Sequence, residues 1–73
     1  MADPHLLDMP PQFTPRMLVE GAERELRYRE RVYPRLVAKG SMSKAKMEYE
    51  LALQWAIIER LAGIAAYAER RGA

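Results

Sequence analysis

The chemistry-bearing residues of this chain are arginines. Arg24, Tyr28, Arg31 and Arg35 recur every three or four residues, with one aromatic in the row, and Arg27 and Lys39 share their side. On a helix that spacing gathers them on one side. A planar guanidinium suits bidentate contact with phosphate or carboxylate, and arginine outnumbers lysine here, which points to directed contacts rather than plain solubility. The row therefore predicts contact with phosphates or with an acidic protein surface. A merely hydrated helix face is the plain alternative. The surrounding block is strongly cationic: residues 24–46 hold eight basic and two acidic groups, a local +6 that the whole-chain charge of +2 conceals. Residues 1–23 carry −3 and residues 47–73 carry −1.

Catalytic arrangements are missing from the sequence. His5 is the sole histidine, so a metal site lacks its second ligand and a nucleophile lacks its base. There is no cysteine, which removes thiolate ligands and disulfides and suits a reducing compartment. The four glycines are scattered and form no phosphate-binding loop. Glu48, Glu50, Glu59 and Glu69 read as a solvated face. The expectation is a non-enzyme with no cofactor, no metal and no small-molecule substrate. No apolar run approaches the ~18 residues of a membrane span, and no signal peptide is evident. A soluble, intracellular protein is expected, without a membrane partner.

Two helices must position the arginine row. Pro4, Pro10, Pro11 and Pro15 crowd the start of the chain, so residues 1–14 are expected to form a flexible proline-rich tail. That tail still carries Leu7, Met9 and Phe13, apolar side chains that could dock on the chain's own helices or on a partner. Thr14 is a good N-cap and Pro15 fits the first helical position, opening a helix over about 15–39. Leu18, Val19, Ala22, Leu26, Tyr33, Leu36 and Val37 share its apolar face. Pro34 is expected to kink or split it, and Gly40 to end it in a left-handed C-cap. Arg29 points toward the apolar face, which calls for an ion pair, with Glu25 or a carboxylate of the second helix.

Ser43, preferred over Ser41, caps a second helix over about 44–70. One stripe of it reads Met47, Leu51, Trp55, Ile58, Leu61, Ala62 and Ala65, with Gln54 among them. A second reads Tyr49, Leu53, Ala56, Ile57, Ile64 and Tyr67. A helix apolar around so much of its girth needs cover on more than one side. Kinked halves of the first helix, the tail, or self-association would each supply it. The short Gly40–Ser43 link predicts antiparallel neighbours. The fold class is all-α: an antiparallel helical hairpin within residues 15–73. A helix-turn-helix reader of DNA fits less well. Ser41 shifts the turn by one residue, and Leu51 to Ile58 holds no basic side chain for a major groove.

The run from Glu25 to Ser43, and above all Val32-Tyr33-Pro34-Arg35 with Gly40 and Met42-Ser43, resembles a pattern in small helical proteins of tailed phages and prophages. The resemblance covers about residues 23–61. With its length and proline-rich start, the whole chain resembles in particular the transcription regulators of lytic phages within that group. The resemblance implies a partner, host bacterial RNA polymerase, bound at the N-terminal part of its largest subunit in the bacterial cytoplasm. It also implies inhibition of initiation at host promoters and antitermination, and leaves room for a contact with nascent RNA. After Ser43 the chain departs from the group, where a more acidic, alanine-rich helix is usual; Met47, Tyr49 and Trp55 add bulk here. A small nucleic-acid-binding protein and a phage assembly adaptor are the alternatives. The residues expected to meet a partner are Leu7, Met9, Phe13, Arg24, Arg27, Tyr28, Arg31, Arg35 and Lys39.

Overall fold

A computed structural model describes residues 12–72. The expected tail, with Leu7 and Met9, falls almost wholly outside the described residues. Two helices follow in sequence order, α1 (Pro15–Ala38) and α2 (Lys44–Gly72). They pack side by side as an antiparallel hairpin, α1 on α2.

Local chemistry sets each boundary. The Thr14 hydroxyl accepts a hydrogen bond from the Met17 amide at 3.1 Å, satisfying one of the free amides that open α1. At the other end Gly40 adopts φ +80°. This left-handed step lets the Gly40 amide donate to the Val37 carbonyl at 3.0 Å and the Ser41 amide to the Leu36 carbonyl at 2.9 Å. Two terminal carbonyls are thereby paired in a Schellman arrangement. The Ser43 hydroxyl then accepts from the Lys46 amide at 3.0 Å and starts α2. All three boundary residues are those the sequence nominated.

Pro34 does not split the first helix. It sits inside one continuous α1, on the exposed side and within a turn of the helix end. Only the Glu30 carbonyl loses a helical donor there, and water can take its place.

The seam is regular. The seam is lined on α1 by Pro15, Val19, Ala22, Leu26, Arg29, Tyr33 and Leu36 and on α2 by Met47, Leu51, Gln54, Ile58, Leu61, Ala65 and Ala68, with Gly21, Glu23, Val32, Val37, Glu50, Ala62 and Ala66 half-buried beside them. Both rows alternate steps of four and three, the spacing of helices wound side by side. Val19, Leu26, Ile58 and Ala65 form the buried core. Each large side chain among them contributes about 1.5–3 kcal/mol. That is a thin core, as expected of a hairpin with one packed interface. Gln54 is the buried polar residue of the seam; its amide Nε2 donates to the Ala22 carbonyl of α1 at 3.0 Å.

Two assignments to the apolar faces are corrected. Trp55 was expected in the seam stripe and is 51% exposed; Leu18 is also exposed. Each lies one step round the helix from the seam, at Gln54 and Val19. The four-three register gives those inner places to Gln54 and Val19 and leaves the neighbours at the rim.

Candidate macromolecule-binding faces

The hairpin presents two unlike outer faces. Arg24, Arg27, Tyr28, Arg31 and Arg35 on α1 and Lys39 at its C-cap are all exposed, and the 100° helical step sets them opposite the seam. Arg31 lies over the ring of Tyr28, its guanidinium carbon 5.7 Å from the centroid. Among the described residues, no carboxylate comes within ion-pair distance of Arg24, Arg27, Arg31, Arg35 or Lys39. Five cations crowd one face with their charge uncompensated, so the face carries a concentrated positive potential. The structure thus brings together six of the nine residues singled out from sequence. Phe13 is exposed in the segment just before Thr14, away from this row, and Leu7 and Met9 lie outside the described residues.

Arg29 shows by contrast what a compensated arginine looks like here. It is turned toward the seam and donates from Nε to Glu25 Oε1 at 2.9 Å. Its guanidinium also lies over Tyr33 at 5.9 Å. The bond to Glu25 raises its pKa against the lowering effect of desolvation. The ion pair anticipated for it is therefore the local one, four residues back on its own helix.

The sequence did not announce the closure of the hairpin ends. Arg16, at the start of α1, holds Glu69, near the end of α2, through two parallel bonds: Nε to Oε2 at 2.9 Å and Nη2 to Oε1 at 3.0 Å. The Arg16 guanidinium pulls the Glu69 carboxyl below its ordinary pKa. A separation of 53 residues leaves no local signal; only the antiparallel register sets the two side by side. The four glutamates of α2 are likewise not one solvated face. Glu48, Glu59 and Glu69 are exposed, whereas Glu50 is half-buried and lies 3.6 Å from Lys46.

On the far side of α2, Tyr49, Leu53, Ile57, Ile64 and Tyr67 stand exposed, Tyr49 at 64% and Tyr67 at 57%. By the helical step they form a band on one flank of α2, from about 70° round from the seam at Ile57 to about 150° at Tyr49 and Tyr67. Ala56, Glu59, Arg60, Gly63, Ile64 and Tyr67 line a shallow open groove along the same side. By length and composition α2 is apolar enough to cross a bilayer, with mean hydropathy 1.2 over its most apolar window. This modifies the expectation drawn from unbroken apolar runs, which Glu59 and Arg60 interrupt. A span would place that charged pair deep in hydrocarbon, a costly position. Among the described residues no cluster of three His, Asp or Glu side chains is placed to hold a metal ion. No protein-family model, curated protein or solved structure matches this chain.

Proposed function

We propose that this chain is a non-catalytic helical regulator that binds a large acidic partner through the outer face of α1. The observation that carries this reading is the row Arg24, Arg27, Arg31, Arg35 and Lys39, exposed and without carboxylate partners among the described residues. Uncompensated like charges on one face repel one another and weaken the free protein slightly; an acidic or phosphate-bearing surface relieves that repulsion. Tyr28, stacked with Arg31, adds a flat surface suited to a protein side chain or a nucleobase.

The resemblance to small tailed-phage proteins nominates the partner. We take it to be host bacterial RNA polymerase, engaged at the N-terminal part of its largest subunit. Inhibition of initiation at host promoters and antitermination are the activities that follow from that reading. An RNA polymerase offers acidic protein surface and nucleic acid close together, so one cationic face can serve both.

Retention of purified, nuclease-treated bacterial RNA polymerase core enzyme by the tagged protein tests the proposal. Retention is expected, and it should weaken when Arg24, Arg31 and Arg35 are all changed to Gln. Exposed charge pairs contribute about 0.2–1 kcal/mol each, so the triple change should cost about 0.6–3 kcal/mol, a roughly 3- to 150-fold loss at low salt. No retention by the folded protein, with polymerase from its own host, would remove the polymerase as partner. Retention indifferent to the triple change would move the contact off α1. Binding to free oligonucleotides with log-linear salt dependence would favour direct nucleic-acid binding instead.

A further inference from the structure

The outer face of α2 is unexplained by a cationic contact on α1. Tyr49, Leu53, Ile57, Ile64 and Tyr67 together offer on the order of 500 Å² to solvent, at the upper end of the largest patch a monomer usually shows. We propose that this face binds a second copy of the same chain, α2 against α2 in antiparallel orientation, giving a four-helix homodimer.

Shape is the first argument. The first half of the face is a ridge: Tyr49, Leu53 and Ile57 follow one another at steps of four. The second half is the groove, whose floor holds the small residues Ala56 and Gly63. Nothing comes within 4 Å of where a Gly63 Cβ would stand, so that space is open. Ridges at four-residue steps pack into grooves of a facing helix. Only an antiparallel pairing sets the ridge of each copy in the groove of the other. With the two-fold axis at the level of Ile58, Leu53 falls level with Gly63 of the second copy and Tyr49 with Tyr67. The one face is thus used twice, as a two-fold interface requires.

Charge is the second argument. Arg60 stands in the middle of the apolar face. A parallel pairing would set the two guanidinium groups against each other. The antiparallel pairing sets Arg60 level with the small Ala56 of the second copy, with Glu59 of that copy within one helical turn. Each Arg60 then gains a carboxylate across the interface.

Area is the third. Two such faces total about 1,000 Å², the lower bound for a specific interface, which places the dimer among weaker associations. The basic faces of both α1 helices would remain outward, so the dimer leaves the proposed partner contact open and doubles it.

Sedimentation equilibrium of the full chain tests this without any polymerase. The mass should rise with concentration from 8.4 kDa toward twice that over the micromolar to hundreds-of-micromolar range. Leu53→Glu should hold it at the monomer mass. Gly63→Leu should do the same by filling the groove, and it removes a helix glycine at an open site, so the hairpin should not lose helix content. For orientation, the cysteine-free chain permits single variants Tyr49→Cys and Tyr67→Cys. When mixed in equal amounts and oxidised they should form the mixed disulfide well beyond the two-to-one ratio over each symmetric one that random pairing gives. A monomer mass at every concentration, a dimer unaffected by both variants, or an excess of symmetric disulfides would each overturn the proposal. So would a monomer that instead sediments with anionic vesicles, which would assign the face to lipid.

Discussion

Gln54 allows a test of the packing argument in which two substitutions at one site move stability in different directions. Its side chain is 6% exposed in the middle of the seam, and its one cross-helix bond goes to the Ala22 carbonyl. That carbonyl lies inside α1 and already accepts the amide four residues on, so removing the glutamine amide strands no buried group. Replacement by Leu forfeits one neutral hydrogen bond, a net loss of about 0.5–1.5 kcal/mol. It gains the burial of a similarly sized apolar side chain, about 1.5–3 kcal/mol when complete. Gln54→Leu should therefore range from neutral to about 2.5 kcal/mol more stable. Gln54→Ala loses the bond and leaves a void at the seam, so it should destabilise by about 1.5–3 kcal/mol. Urea unfolding followed by far-ultraviolet circular dichroism, at low protein concentration to keep self-association out of the measurement, reads both. A loss above about 1.5 kcal/mol for Gln54→Leu would refute the reasoning. It would mean that the bond to Ala22 holds the register of the helices and is no mere filler for a polar side chain.

The turn and the closing ion pair give further tests. Gly40→Ala forces a Cβ into the left-handed region at φ +80° and should cost about 1–2 kcal/mol by the same unfolding assay, although nothing crowds the site. Glu69 has a lowered pKa because Arg16 bonds its charged form. Its contribution is therefore present above the ordinary carboxylate pKa and is lost as pH falls through the lower folded value. Glu69→Gln should lower the melting temperature at neutral pH, the difference from the parent closing in acid and shrinking with added salt. A pH-independent difference would show that the pair acts through packing alone.

Most of the fold is legible in local chemistry. Thr14, Gly40 and Ser43 each carry their instruction in their own residue type, and each boundary falls where that type acts. The arginine row is equally legible, because helical spacing alone assigns a side to every residue. Pro34 was harder. Its ring forbids one hydrogen bond wherever it stands, yet whether a helix breaks depends on what surrounds the orphaned carbonyl, and here that is solvent near a helix end. Trp55 and Gln54 show the same limit from the other side. A hydropathy stripe prefers tryptophan for the core, whereas the packed seam takes the residue in the four-three register and leaves its bulkier neighbour outside.

The sequence by itself determined that two helices form, where they begin and end, and that one face of the first is cationic, because caps, left-handed glycine and 3.6-residue periodicity act over a few residues. Only the tertiary structure decided which of the two apolar sides of α2 meets α1. Either side could have been buried; the chosen one buries Ala65, gives Gln54 a carbonyl, and brings Arg16 to Glu69. Those contacts join residues far apart in the chain, and no local spacing encodes them. That choice also leaves Tyr49, Leu53, Ile57 and Tyr67 facing outward.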